Sequence, residues 1–328
     1  MKSVPAPGAL AAFLLMTSPA LAQATSASTA TADTQSSSGW LPDGIDLSGL
    51  RVWQTFYAGR SSLAGDALQG TQAVRASILG TTFGADRQID DQTLIGASLG
   101  LSRQSFSSSS GNGRSDDAVL TLYGRRMFFD QAYLVLALGY GWHDLLTARP
   151  VAAFDTLSLD ASYHATDWGG RLETGYTFTL DDASSVAPFF ALVGDSYHQP
   201  GYSETLFNTV SSLGASYSAM TTAIVHTEFG WRYYRYFSLE DGWYLSLDTT
   251  AAWERELDDD PLILASFQTA PGSSFVLRGT RPAGDTALLG AGLRLQARDG
   301  FTFGVRSDAR LGTGTTIFSG TLDATYRW

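Results

Sequence analysis

Phe318-Ser319-Gly320-Thr321-Leu322-Asp323-Ala324-Thr325-Tyr326-Arg327-Trp328 decides the fold. Taken at every second position, Phe318, Gly320, Leu322, Ala324, Tyr326 and Trp328 make an apolar face, and Ser319, Thr321, Asp323, Thr325 and Arg327 make a polar one. Successive side chains of a β-strand point to opposite faces, so this stretch is a strand with grease on one side and water on the other. An aromatic end on such a strand fits a wall between lipid and an aqueous interior.

Upstream segments repeat the pattern. Ile95, Ala97, Leu99 and Leu101 alternate with Gly96, Ser98, Gly100 and Ser102; Leu134, Leu136, Leu138, Tyr140 and Trp142 alternate with Val135, Ala137, Gly139 and Gly141. Leu172, Thr174, Tyr176 and Phe178 oppose Arg171, Glu173, Gly175 and Thr177, and Val225, Thr227, Phe229 and Trp231 oppose His226, Glu228, Gly230 and Arg232. Trp243, Leu245, Leu247 and Trp253 oppose Tyr244, Ser246, Asp248 and Glu254, and Leu289, Ala291, Leu293 and Leu295 oppose Gly290, Gly292, Arg294 and Gln296. Strands of a soluble sandwich average about five or six residues. These runs are longer, as a membrane crossing requires.

The connections alternate in character. Asp90-Asp91, Asp130-Gln131, Asp181-Asp182, Glu240-Asp241-Gly242 and Asp299-Gly300 are short and acidic. Between them fall longer connections rich in glycine and serine, at 59–70, 107–114, 146–157, 200–214 and 258–284. Short turns on the periplasmic side and longer loops outside distinguish outer-membrane barrels. Five tight turns, with a first and a last strand beside them, give an up-and-down antiparallel transmembrane β-barrel of about twelve strands. Trp53, Phe128, Phe129, Trp142, Trp168, Trp243 and Trp328 are expected to form its interfacial girdles.

Composition agrees with an all-β chain facing two solvents. Hydrophobic residues make up 44% and charged residues only 16% of the chain, where about 25% charged is usual for a soluble domain. No uninterrupted apolar run reaches the ~20 residues of a spanning helix, which leaves a closed barrel as the spanning architecture. The sole lysine is Lys2 and the net charge is −11, a balance that excludes a nucleic-acid partner.

The chain begins as an exported one. Met1-Lys2, the apolar run from Ala9 to Met16, and Ser18-Pro19-Ala20-Leu21-Ala22 read as a signal peptide, 1–22, cut after Ala22. A low-complexity leader or short linker occupies 23–49 and the barrel 50–328. The expected location is therefore the cell outer membrane of a Gram-negative cell.

With these residues in place, the chain resembles the autotransporter β-domain, the translocator of type V secretion. The resemblance is carried by Gly84-Ala85-Asp86, Leu94-Ile95-Gly96-Ala97-Ser98-Leu99-Gly100, Asp117 leading to Leu122-Tyr123-Gly124, and Pro188-Phe189-Phe190-Ala191 with Glu204 following. Ala252-Trp253-Glu254-Arg255-Glu256-Leu257, Gly272-Ser273-Ser274-Phe275 and Tyr326-Arg327-Trp328 continue it over roughly 50–328. It implies a 12-stranded barrel whose pore holds a linker helix leading to a passenger. Only 23–49 offers passenger and linker here, so the expectation is a translocator-type pore or scaffold without a substantial passenger. The alternative is a stand-alone porin-like diffusion channel; a barrel enzyme or an adhesin using 258–284 comes after it.

Alternation puts Arg171, Glu173, Glu228, Arg232, Asp248, Glu254, Arg294, Arg306, Asp308 and Arg310 on the polar face, where they are expected to line the pore. Rings of charge set pore selectivity, whereas a network of arginines and carboxylates of both signs stiffens a narrow barrel and neutralises itself. The mixed signs favour the second reading. Phe318, Tyr326 and Trp328 are the expected assembly signal. His226 with Glu228 is the only acid–base pair that can be nominated; His143 and His198, near strand ends toward the loops, are expected to be solvated. No catalytic residue, cofactor or metal site is expected, and Asp258-Asp259-Asp260 reads as a solvated loop mouth. Expected partners are outer-membrane lipid and lipopolysaccharide, periplasmic chaperones and the barrel-assembly machinery, around a monomer.

Overall fold

In the computed structural model the described residues are 49–328, apart from 69, 152–156, 207–208, 211–212, 258–261 and 328. The signal peptide, nearly all of the leader, the run Asp258-Asp259-Asp260 and Trp328 thus lie outside the described residues. Twelve long strands carry the architecture: β1 Leu50–Leu63, β2 Val74–Asp90, β3 Thr93–Ser108, β4 Gly111–Phe128, β5 Ala132–Pro150 and β6 Ser158–Tyr176, then β7 Ser184–Gln199, β8 Met220–Ser238, β9 Tyr244–Glu256, β10 Asp285–Gln296, β11 Phe301–Gly312 and β12 Thr315–Arg327. Each pairs antiparallel with its neighbours in chain order. The sheet closes where β1 pairs with β12, from Arg51 opposite Arg327 to Leu63 opposite Thr315. Closure leaves no open edge, the condition lipid imposes on a sheet.

The two faces separate as the alternation requires. On β12, Phe318, Gly320, Leu322 and Ala324 are exposed while Ser319, Thr321, Asp323 and Thr325 are half-buried. On β5, Leu134, Leu136, Leu138 and Trp142 point out, and Val135, Ala137, His143 and Leu145 are buried. At ~3.3 Å per residue the 19 residues of β5 span about 60 Å, far more than an apolar band about 25 Å tall even when tilted. The strands therefore continue past the membrane on one side.

That continuation corrects the expected loop at 107–114. β3 reaches Ser108 and β4 starts at Gly111, so only Ser109-Ser110 make the turn. Serine and glycine alternation at this height marks strands outside the lipid, where the outward face needs no grease. Two of the other long connections, those after β7 and after β9, carry secondary structure of their own. Tyr202–Ser203, Ala215–Tyr217, Leu262–Phe267 and Ala270–Arg278 form a separate four-stranded sheet, which joins the connection after β7 to the one after β9. Ile263, Ala265 and Leu277 of this sheet are buried in one cluster with Met220 of β8.

At the other end the connections are tight. Phe129 and Asp130 both adopt positive φ, 53° and 61°, within the three-residue connection 129–131 between β4 and β5, where the Gln131 N–H donates to the Phe128 carbonyl. Pairing of β7 with β6 ends at Phe189 opposite Gly175 and resumes at Val186 opposite Phe178, so Pro188 sits at a break in the ladder on that side.

One expected girdle aromatic is misplaced. Trp53 is 5% exposed and faces inward, whereas Phe128, Phe129, Trp142, Trp168 and Trp243 are exposed. Its position has the inward parity of Arg51 and Thr55, also buried. Size and aromaticity suggested lipid, but parity decides.

Candidate functional site

The candidate site is the inward face of the closed sheet, where small residues leave room for large polar ones. Trp53 and Tyr123 reach across it over Gly84 and Gly96. A Cβ on Gly84 would lie 2.3 Å from the Trp53 ring and one on Gly96 2.5 Å from the Tyr123 ring, so neither position admits a larger residue without movement. Trp53 Nε1 donates to Tyr123 Oη at 2.9 Å, and Tyr123 donates to Asp86 Oδ2 at 2.8 Å. Arg51 grips Asp86 through Nε at 2.9 Å and Nη2 at 2.7 Å. The charge of a buried carboxylate is thereby met by a fork of charge-assisted bonds.

A second group joins β5, β6 and β8. Arg171 donates through Nη2 to Glu173 at 2.6 Å and through Nη1 and Nη2 to Glu228 at 2.9 and 2.7 Å. Arg232 pairs with the same Glu173, which also accepts from Tyr133 Oη at 3.1 Å. The Arg232 guanidinium lies 4.1 Å from the centre of the Phe189 ring.

The third group spans β9 to β12. Arg306 pairs with Asp248 and donates to Asp308 at 2.9 Å. Arg294 stands 3.8 Å from Asp248 and 3.9 Å from Asp323, and Arg310 Nε lies 2.7 Å from Glu254. All ten charged residues read from alternation are thus buried or half-buried, and each has an opposite charge beside it.

The arrangement extends beyond those ten. Asp86, Asp117, Asp167 and Asp195 are also buried. His143 is 1% exposed and sits between Asp117, 2.9 Å from Nδ1, and Asp167, 2.6 Å from Nε2. This corrects the expectation of a solvated His143; because β5 runs on to Pro150, position 143 is well inside the strand. The odd-numbered positions that share its face in the pattern, Val135, Ala137 and Gly139, carried little polar signal. His198 is exposed, as expected.

His226 Nε2 lies 3.6 Å from both Glu228 and Glu254, and the three could in principle ligate one ion. Both oxygens of Glu228 already accept from Arg171, and Arg310 stands against Glu254. Two guanidiniums at the rim oppose a dication and hold the carboxylate that an acid–base pair would need. Chemically, the ten charges read from alternation form a self-neutralising lining.

Outside the membrane, Arg149 grips Glu204 through Nε at 2.8 Å and Nη2 at 2.5 Å. Glu204 also accepts from Tyr217 Oη at 3.2 Å, and Tyr202 stacks on Tyr217 with ring centres 4.6 Å apart. Burial, with the Glu204 charge beside it, raises the Tyr217 hydroxyl above its ordinary value. This group ties the small outer sheet to the top of β5.

A closed twelve-strand sheet, greasy outside and ion-paired within, defines the class as an outer-membrane-type β-barrel. Within that class the sequence profile of the autotransporter beta-domain family matches residues 52–308, and the chain belongs to that family. The structure superposes on the translocator domain of the autotransporter NalP from Neisseria meningitidis with a TM-score of 0.74, at 19% identity, covering 98% of this chain and 100% of that one. The beta domain of the Bordetella autotransporter BrkA gives a TM-score of 0.62 at 16% identity, covering 85% of this chain and all of that one. Among curated proteins, the putative uncharacterized protein YaiT of Escherichia coli K12 is 26% identical over 174 residues, 52% of this chain and 17% of the relative. The chain therefore matches only a small part of that relative's length.

Proposed function

We propose that this barrel is the outer-membrane conduit of an autotransporter-type exporter, with Arg171, Glu173, Glu228, Arg232, Asp248, Glu254, Arg294, Arg306, Asp308 and Arg310 lining the path. Family membership is the observation that carries the reading, together with a closed barrel whose inward charges pair with one another. Lining charges that cancel in pairs hold no fixed field against a passing polypeptide of either sign, and they stiffen the wall through which it moves. The chain catalyses no reaction of its own on this reading. Glu228, the carboxylate of the only nominated acid–base pair, is held by Arg171.

Delivery follows from the same reading. Residues 1–22 are a cleaved signal, periplasmic chaperones carry the mature chain, and the barrel-assembly machinery reads the C-terminal sequence through Phe318, Tyr326 and Trp328. The barrel then stands as a monomer among outer-membrane lipids.

A reporter tag inserted between Ala24 and Thr25 tests the function. Tag accessible to added protease on intact cells is the expected result. A barrel that sorts to the outer membrane while the tag stays periplasmic would overturn it. Planar-bilayer recording of the purified full chain addresses the porin alternative: a large, steady conductance would favour a diffusion channel.

A further inference from the structure

We propose that the outward face of β1 to β6, just beyond the apolar band, is a binding site for a phosphorylated glycolipid of the outer leaflet, chemically lipopolysaccharide. The claim goes beyond the export reading, and it rests on that reading only for which end of the barrel faces outward.

A groove of about 1140 Å3 runs across these strands, with Arg60, Arg75 and Arg114 among its lining residues. All three are exposed, and their inward neighbours Ser61, Val74, Ala76 and Ser115 are buried, so the arginines face away from the interior. Register places them together. Arg60 lies opposite Ser77, Ser77 opposite Ser105, and Ser105 opposite Arg114, which puts Arg60 and Arg114 on one level across β1 to β4. Arg75 stands one level further out, between Ser62 and Ser107. Three strand spacings separate Arg60 from Arg114, about 14 Å. One phosphate cannot touch both, whereas a headgroup with two phosphates can.

Charge points the same way. In a chain of net charge −11, the groove gathers three guanidiniums against the single carboxylate of Asp160. No ion pair is formed by Arg60 or Arg75 among the described residues, and Arg114 has only the longer-range attraction of Asp116, which Arg103 already engages at 2.5 Å. Arginine's fork suits phosphate oxygens.

The surroundings complete an amphiphile's outline. One level below the arginines, Leu79 stands beside the Arg103–Asp116 pair and Asp144, and a level further down Phe56, Leu101 and Trp142 are exposed and outward, a surface for acyl chains. Between the arginines, Ser77, Ser105 and Ser107 keep the floor shallow and offer hydroxyls that can donate to or accept from sugar hydroxyls. Phosphates on arginine, sugar over serine and chains against leucine and aromatic rings are the three chemistries of one phosphorylated glycolipid.

The test uses the full mature chain in detergent micelles, titrated with bisphosphorylated lipid A and read by native mass spectrometry. Arg60→Ser/Arg75→Ser/Arg114→Ser should weaken binding about tenfold or more, and Arg235→Ser, at the opposite end of the barrel, should leave it unchanged. Binding by the triple variant within twofold of the parent overturns the proposal. So does competition by phosphatidylglycerol or inorganic phosphate equal to that of bisphosphorylated lipid A, which would mark an unselective anionic surface. Dephosphorylated lipid A should compete poorly; equal competition also overturns the site. A heat-modifiable band on electrophoresis checks folding, and if the triple variant lacks it, Arg75→Ser alone should still lose about threefold; no loss there is disproof. Tag export and outer-membrane sorting report on the conduit reading separately, so failure of one does not mimic failure of the other.

Discussion

Arg171 on β6 and Glu228 on β8 are two strands apart, yet they meet through two hydrogen bonds of 2.9 and 2.7 Å. They can do so because β7 places Val193 beside Arg171 and Ala191 beside Glu228, and neither side chain fills the space between. Glu173 completes the group by holding Arg171 and Arg232 together.

Removing Glu173 leaves two guanidiniums facing each other in a sheltered interior. Glu173→Leu should cost about 3–5 kcal/mol, the usual penalty for stranding a buried charge. Glu173→Leu/Arg232→Leu should recover part of it. Urea unfolding in lipid vesicles measures both, and a single variant no less stable than the double would remove the network from the account of stability.

Trp53 is held by hydrogen bonding as well as by packing. Trp53→Phe keeps most of the ring volume but removes the donor to Tyr123, and should cost about 1–3 kcal/mol. Trp168, 64% exposed on the outer face, serves as the comparison, because Trp168→Phe removes no inward bond and should change stability by less than about 0.5 kcal/mol. Equal effects would contradict the inward placement of Trp53.

Depth in the membrane is tested on β5. Leu138, 53% exposed and midway along the apolar band, should lose about 2–4 kcal/mol as Leu138→Arg, whereas Leu146→Arg, beyond Trp142, should lose about 0–1 kcal/mol. Refolding yield and unfolding midpoint in vesicles check the contrast. Similar costs at the two positions would place the band elsewhere.

The turn after β2 gives a pH dependence. The Gln92 backbone N–H, the Thr93 hydroxyl and then the Arg126 charge hold the Asp90 carboxyl below the usual range. Its folded value lies under the unfolded one, near 3.9, so its stabilising share is present above that pH and disappears as pH falls through the folded value. Carboxyl NMR should show Asp90 titrating below a model peptide, with Asp90→Asn flattening the turn's acid response. A midpoint at or above the peptide value would refute the turn geometry.

Much of the barrel is legible in the residues themselves. The alternation around Leu134 to Trp142 and Phe318 to Tyr326 gives the correct outward face, and five tight acidic turns give the correct number of strands. The ten inward charges could be found because Arg and Glu stand out where an apolar partner is absent. Trp53 and His143 escaped because an aromatic ring and a residue near a supposed loop carry no parity label of their own. The hairpin at Ser109-Ser110 escaped because serine and glycine mark loops in a soluble protein but also suit strands that have left the lipid.

A period of two tells every residue which solvent it meets, and that alone determined a closed sheet with grease outside, since lipid accepts no open strand edge. Height along the wall is a different quantity. It depends on the stagger between neighbouring strands, which only closure of β1 on β12 fixes. That is why Trp53 finds Tyr123 across 70 positions of chain, and why Arg60, Arg75 and Arg114 gather on one outer patch, as pairings visible only in the tertiary structure.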